Sequence, residues 1–213
     1  MRLLQGLGDA VGHRFGADIV VHCRTTLPCV ALTIDDGPDP QTTPGVLSVL
    51  AGHDARATFF LIGERAIRHQ RLVADIAAAG HELGNHLMRD EPSVRLSDAE
   101  FERQLRTVHD LLSAHGTVTA FRPGSGWFTP RMLRVAGRLG YRCALGSPGL
   151  VAKAYPQPAE LGERLARRSR PGSVIVLHEG TRDRRPVTEV VDALLGTLAR
   201  EQLRARSLRE ITG

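Results

Sequence analysis

Long apolar runs, cysteines and aromatic residues are all scarce in this chain of 213 residues, and each scarcity excludes a class of protein. No stretch approaches the roughly 18 apolar residues of a membrane-spanning helix, so we expect no membrane span. Three cysteines are too few for the disulfide framework of a small secreted domain. Pairing of Cys23 with Cys29 stays open, whereas Cys143 lies in an apolar run and is predicted to be a core residue.

Lysine is nearly absent, since Lys153 is the only lysine among 28 basic residues, although the formal net charge is +5. The arginines are scattered and are not interleaved with aromatic residues, so we expect no nucleic-acid partner. The N-terminus lacks the apolar stretch of a signal peptide, because Asp9 and His13 interrupt it early. The expected location is therefore the cytoplasm for the chain as given, or outside the cell if a leader was removed.

Apolar residues make up 42% of the chain, which is enough for a real core. Buried-strand runs alternate with segments of helical spacing, including predicted helices over Glu64–Ala79 and Pro186–Arg204. This alternation predicts parallel βα units and an α/β fold, in a chain short of the roughly 250 residues of a full eight-unit barrel. We predict an N-terminal segment, 1–29, packed on a catalytic domain, 30–213, with Ile19–His22 as a candidate edge strand.

The strongest signal is the stretch Val30–Pro40, where a mostly apolar run ends in two adjacent carboxylates, Asp35 and Asp36. The Gly37-Pro38 pair that follows predicts a turn. Because active sites of α/β proteins lie at the carboxyl ends of parallel strands, the two acids are candidates for chemistry. One can hold a metal while the other handles a proton. The alternative is an ordinary turn after a strand.

Polar residues also stand at the carboxyl ends of later predicted strands, at His86, Arg122 and His178. In a closed barrel these strand ends converge on one mouth. There His178 is a candidate general acid, although a lone histidine in such a place is often a hydrogen-bonded core residue. A buried arginine needs a carboxylate partner, and Asp35 can serve Arg122 if it is not bound to a metal.

The candidate metal ligands are Asp36, His86 and Asp90. His86 and Asp90 are four residues apart, so one helical turn after His86 would place them on one face. One imidazole with two carboxylates suits Zn²⁺, with Co²⁺, Mn²⁺, Ni²⁺ or Fe²⁺ as alternatives. The structural alternative makes His86 a hydrogen-bonded histidine and Asp90 a cap. His81 is a weaker competitor, since it precedes its strand.

These motifs resemble those of the NodB-type polysaccharide deacetylases, carbohydrate esterase family four. Thr33–Pro38 is similar to the first family motif, T-F-D-D-G-P, and Gly80–Asp90 is similar to the region of the second, H-[ST]-x-x-H. Arg122–Trp127 resembles the third motif, an Arg-Pro loop with an aromatic residue, and Ile175–His178 the fifth, an apolar strand ending in histidine. The resemblance runs in order from about residue 30 to the C-terminus.

Two departures from the family pattern bear on chemistry. Asp90 stands in place of the second histidine of motif two, and Leu87 in place of its Ser or Thr. Because aspartate is a competent ligand for hard metals, we predict an altered triad rather than a lost one. The fourth motif, an Asp-Trp loop, should fall near Gly146–Tyr155, which contains neither residue. Without that carboxylate we expect His178 to be less basic and less well oriented.

The resemblance implies an irregular (β/α) barrel of seven or eight strands. It also implies a metal-dependent hydrolase that removes N-acetyl groups from amino sugars of a chitin-oligosaccharide or peptidoglycan-like glycan. Two alternatives stay open, namely a catalytically impaired barrel that binds a glycan or a metal, and an amidase for another small amide.

The resemblance further implies a role for each residue of the constellation. Asp35 corresponds to the general base, Arg122 to the residue that orients it, and His178 to the general acid. The implied metal ligands are Asp36, His86 and, through the altered motif, Asp90. The implied substrate contacts are the backbone N–H near Ser125, for the oxyanion, and Trp127, as a wall of the sugar pocket.

Overall fold

The computed structural model describes residues 18–212, in which eight strands form one parallel sheet. The parallel pairing confirms the βα units predicted from the alternation of strands and helices. The strands are β1 Ile19–Val20, β2 Cys29–Gly37, β3 Thr58–Leu61, β4 Glu82–Asn85, β5 Ala120–Phe121, β6 Arg142–Ala144, β7 Val174–His178 and β8 Arg204–Arg206.

The sheet has the order β1-β6-β5-β4-β3-β2-β7, and β8 pairs with the first residues of β2. Between the edge strands the seam carries isolated bridges instead of a continuous ladder, with His22 opposite Ser173 and Val151 opposite Val176. The result is the irregular (β/α) barrel that was expected. The predicted edge strand is confirmed at Ile19–Val20. Residues 1–17 lie outside the described residues, so the division at residue 30 stays a prediction.

Eight α-helices lie within residues 18–212, and two of the predicted helices have different bounds. The single helix expected over Glu64–Ala79 is two helices, because His69 leaves helical geometry with φ −129° and ψ 47°. The last long helix ends at Arg200, and Gln202 then turns the chain with φ 58°. The helices are α1 Thr43–Gly52, α2 Gly63–Arg68, α3 Gln70–Ala78, α4 Asp98–Ser113, α5 Pro130–Arg138, α6 Pro158–Arg168, α7 Val187–Arg200 and α8 Leu208–Thr212.

Strand β2 is buried along all nine residues, because its two faces meet two different parts of the core. Leu32 and Ile34 belong to the outer core between the sheet and the helices. Ala31 packs inside the barrel with residues such as Phe60. Since side chains alternate along a strand, Asp35 continues the interior face. Fully burying Leu32 or Ile34 stabilises the fold by roughly 1.5–3 kcal/mol each, which fixes the register that aims Asp35 inward.

Neither disulfides nor membrane-spanning helices occur within residues 18–212. Cys23 and Cys29 are free and buried, so the pairing left open by the sequence is not made. Cys143 is buried in the core, as predicted. None of the helices in this range combines the length and apolar character needed to cross a membrane.

Candidate active site

A cavity of about 420 Å³ opens at the carboxyl ends of the strands. This volume is within the range of small-molecule sites. Five of the residues predicted to carry chemistry meet there, although they come from four different strand ends. They are Asp35, Asp36, His86, Arg122 and His178.

Asp35 and Arg122 form a buried ion pair in the barrel interior. Arg122 Nη1 lies 2.5 Å from Asp35 Oδ1 and donates to Thr33 Oγ1 at 2.8 Å. Arg122 Nε donates to the carbonyl of Ala144 at 3.0 Å, and the guanidinium stacks 4.2 Å above the Phe60 ring. These contacts hold the guanidinium in place beside the Asp35 carboxylate. The pairing predicted from the sequence is therefore present.

His178 is oriented by the loop in which the fourth family motif was expected. Its Nδ1 lies 2.8 Å from the carbonyl oxygen of Ala152. Because a carbonyl only accepts, Nδ1 carries the proton, and Nε2 faces Asp35 Oδ2 at 3.7 Å. The Tyr155 hydroxyl donates to the carbonyl of His178 at 2.7 Å and accepts from its N–H at 2.6 Å. His178 thus has an orienting partner that the sequence did not predict, a backbone carbonyl instead of a carboxylate, and a comparison of the two partners stays a prediction.

The electrostatic surroundings of His178 agree with the expectation that this histidine is less basic. Burial lowers the pKa of His178, although the charges of Asp35 and Asp36 oppose this shift. A carbonyl partner carries no full charge, so it offsets less of the desolvation than a carboxylate would. His178 is thus well placed but less basic than an exposed histidine.

Asp36 and His86 form the pair of donors expected of a metal site. His86 Nε2 and Asp36 Oδ1 lie 3.1 Å apart. His86 Nδ1 lies 2.7 Å from the carbonyl of Arg122, a contact that fixes ring orientation in metal-binding histidines. Burial would raise the pKa of Asp36, but the hydrogen bond to His86 and nearby positive charges hold it well below the usual range. Both groups are thus buried, oriented and turned to the cavity.

Arg184 is a site residue that the sequence reasoning missed. It lies in a short 3₁₀ turn, Arg182–Arg184, that follows β7, and it lines the cavity. Its Nη1 makes a short contact with Asp36 Oδ2 and donates to the carbonyl of Glu179 at 3.2 Å. The only sequence signal was a local cluster of arginines. Asp36 therefore has an imidazole on one oxygen and a guanidinium on the other.

Asp90 lines the same cavity, but its carboxylate does not join Asp36 and His86. The chain after His86 is bent rather than helical, and Leu87 has φ 62°. The argument from one helical turn is therefore wrong. Within residues 18–212, no three His, Cys, Asp or Glu side chains are arranged to hold a metal ion. Ligation by Asp90 stays a prediction.

Three further predicted residues lie at different distances from this chemistry. Ser125 lines the cavity and has φ 63°, and the contact of its backbone N–H with an oxyanion stays a prediction. Trp127 is 71% exposed and is not among the residues that line this cavity, so its contact with a sugar stays a prediction. His81 precedes β4, at the opposite end from His86, and its Nδ1 accepts from the backbone N–H of Ala57 at 3.3 Å.

Glu179, a residue not predicted from the sequence, supports the turn after β2. Its carboxylate accepts from Thr42 Oγ1 at 2.7 Å and Thr43 Oγ1 at 2.8 Å, and its N–H donates to the carbonyl of Asp35 at 3.0 Å. Only glycine fits at position 37, because a Cβ there would lie 2.1 Å from Glu179 Oε1. Burial raises the pKa of Glu179 to about 7. The turn carrying both aspartates is thus fixed from two sides.

Comparison with known proteins gives a consistent result. The family model for polysaccharide deacetylase matches residues 23–144, more than half of the chain. A peptidoglycan-N-acetylglucosamine deacetylase from Bacillus cereus is 29% identical over 185 residues, which are 85% of this chain and 87% of that protein. A chitooligosaccharide deacetylase from Azorhizobium caulinodans is 32% identical over 155 residues, covering 71% of this chain and 73% of that protein.

One solved structure with the same fold comes from a protein whose wild type is a pseudoenzyme. It is a mutant, with restored enzymatic activity, of a CE4 family pseudoenzyme from Bacillus anthracis. The TM-score is 0.81 at 25% identity, with 92% of this chain and 71% of that chain covered. Similarity of fold and sequence therefore extends to both active and inactive proteins.

Proposed function

The chain belongs to the polysaccharide deacetylase family, and from that membership we propose that it is a metal-dependent hydrolase acting on amino sugars. The reaction is removal of N-acetyl groups from a chitin-oligosaccharide or a peptidoglycan-like glycan. One observation carries the proposal: Asp35, Asp36, His86 and His178 reach a single cavity, and Arg122 is paired with Asp35 there. That set contains a base, an acid and two metal donors.

Asp36 and His86 fit a divalent cation, because their facing atoms are oxygen and imidazole nitrogen and the far ring nitrogen is held by a carbonyl. We propose Zn²⁺ there, with Co²⁺, Mn²⁺, Ni²⁺ or Fe²⁺ as alternatives, and Asp90 as a third donor from the cavity wall. When bound, such an ion supplies Lewis-acid polarisation of the amide carbonyl.

The residues of the chain then divide the proton transfers of amide hydrolysis. Asp35, held in position by Arg122, takes a proton from the attacking water. His178 acts in its imidazolium form, in which Nδ1–H stays on the carbonyl of Ala152 and the proton taken up from solvent at Nε2 is given to the departing amine. The backbone N–H near Ser125 holds the oxyanion, in the way that preorganised amides stabilise charge developing in a transition state. The acetyl group leaves as acetate and the sugar keeps a free amine.

Release of acetate tests the proposed function directly. The purified protein, loaded separately with Zn²⁺, Co²⁺ and Mn²⁺, is incubated with N-acetylated chito-oligosaccharides and with peptidoglycan fragments. Acetate is expected from at least one substrate class, and it should cease when a chelator removes the metal. Absence of acetate from both classes with every divalent ion would overturn the proposal.

A second candidate function is a catalytically impaired barrel that binds a glycan or a metal. The contact of Arg184 with Asp36 favours it, because a proposed metal ligand is already paired with a cation of the chain. An amidase acting on another small amide would use the same residues. It would differ in its substrate, and therefore in the carboxylic acid that it releases.

Asp90→Ala is expected to weaken Zn²⁺ binding by at least about tenfold, and Asp90→His to restore it. The reason is that the exposed Asp90 side chain lines the cavity and supplies the third donor. Isothermal titration of metal-free protein with ZnCl₂ measures both variants. Asp183→Ala is the matched control, since it removes an equally exposed carboxylate outside the cavity lining. If Asp90→Ala binds Zn²⁺ as tightly as that control, Asp90 is no ligand.

A further inference from the structure

The carboxylate of Asp36 is already shared between two partners of the chain itself. Oδ1 faces His86 Nε2, and Oδ2 is in contact with Arg184 Nη1. The Asp36 side chain is 4% exposed and that of Arg184 17%, so water screens the contact little. We infer that Arg184 is a built-in competitor for the metal at Asp36, and that it lowers the affinity of the site for divalent cations. This inference rests on the proposed function.

The charges around the cavity show why a cation binds at a disadvantage. Its ionisable lining, apart from the histidines, consists of three carboxylates and three basic side chains, namely Asp35, Asp36, Asp90, Arg122, Lys153 and Arg184. Two of the carboxylates are held in ion pairs, with Arg122 and Arg184. A divalent ion therefore enters a lining whose formal negative charge is already balanced. Its binding requires Arg184 to leave Asp36 or to stay beside a second cation.

Arg184 is placed for this role by its turn. The neighbouring residues Arg182, Asp183 and Arg185 are exposed, whereas Arg184 is half-buried and turned into the cavity. The hydrogen bond from Arg184 Nη1 to the carbonyl of Glu179 helps to hold the side chain in this orientation. Arg185 has the same charge on the same stretch of chain but does not line the cavity. The pair Arg184 and Arg185 is therefore a natural test and control.

The affinity of a carboxylate for a proton gives the scale of the expected change in metal affinity. A positive charge beside a carboxylate weakens proton binding by about ten- to a thousandfold. We therefore expect Arg184→Gln to bind Zn²⁺ at least about tenfold more tightly than the unaltered chain. Arg185→Gln should remain within about twofold, since the exposed charge is screened. Arg184→Lys keeps the charge and should stay closer to the unaltered chain than Arg184→Gln does.

Isothermal titration of the metal-free chain and its variants with ZnCl₂ measures these affinities, and thermal unfolding confirms that each variant is folded. Adding Asp36→Asn to Arg184→Gln should abolish the gain, which locates it at Asp36. Equal affinity of Arg184→Gln and the unaltered chain would overturn the inference while leaving the proposed metal site intact. Weaker binding would also overturn it, because Arg184 would then orient Asp36. If no variant binds Zn²⁺, both the inference and the proposed metal dependence fail.

Discussion

Asp35→Asn is expected to lower kcat for acetate release by about 10²–10⁴-fold, the usual contribution of a general base. Asparagine has nearly the same shape but cannot take a proton from water at neutral pH. Zn²⁺ affinity should change much less than kcat, because the proposed donors are Asp36, His86 and Asp90, whereas Asp35 is paired with Arg122. Acetate assays give kcat, and titration with ZnCl₂ gives the affinity of the same preparation.

The control for this experiment is Asp183→Asn, which makes the same chemical change at an exposed position near the cavity. Thermal unfolding accompanies it, because Arg122 loses its charged partner in Asp35→Asn. Undiminished kcat in folded Asp35→Asn would remove Asp35 from the role of base. If the unaltered chain releases no acetate and binds glycan and metal as the variant does, the impaired barrel is the better description.

Arg122→Met is expected to lower the free energy of unfolding by about 3–5 kcal/mol, because it leaves the buried Asp35 carboxylate without its partner. The guanidinium also contacts Thr33, Ala144 and the Phe60 ring, and methionine keeps only part of that packing. Urea unfolding followed by circular dichroism measures the change.

Arg106→Met serves as the comparison, since Arg106 is 57% exposed and pairs with Glu102 at 2.8 Å on the surface of α4. An exposed ion pair of this kind contributes less than about 1 kcal/mol. The double variant Asp35→Asn with Arg122→Met should be more stable than Arg122→Met alone, because no buried charge remains unpaired. A loss in Arg122→Met no greater than in Arg106→Met would show that the buried pair is not needed for stability.

The sequence was most informative where one strand both packs in the core and carries the candidate catalytic residues. The apolar run of β2, its two terminal aspartates and the following turn predicted the strand, its burial and the place of the site. His86, Arg122 and His178 were found for the same reason, since each lies at the carboxyl end of its own strand. Parallel strands of a barrel bring such ends together whatever the details of the loops.

Residues that act through loops were not predictable in the same way. Arg184 reaches Asp36 across 148 positions in the sequence, and among neighbouring arginines nothing marks it as the one that turns inward. Glu179 finds Thr42 and Thr43 only because the start of α1 lies beneath the β2 turn. Asp90 shows the reverse error, since a four-residue spacing has meaning only on a helix and Leu87 turns the chain with φ 62°.

The hydrogen bond from His178 to the carbonyl of Ala152 has a consequence for how this loop tolerates genetic change. A side-chain partner is lost by a single codon change, whereas every amino acid that fits at position 152 offers the same carbonyl oxygen. The orientation of His178 therefore depends on the backbone conformation between Gly146 and Tyr155, and not on the identity of one residue. Point mutations along this loop should be largely silent for that bond, while insertions and deletions should break it.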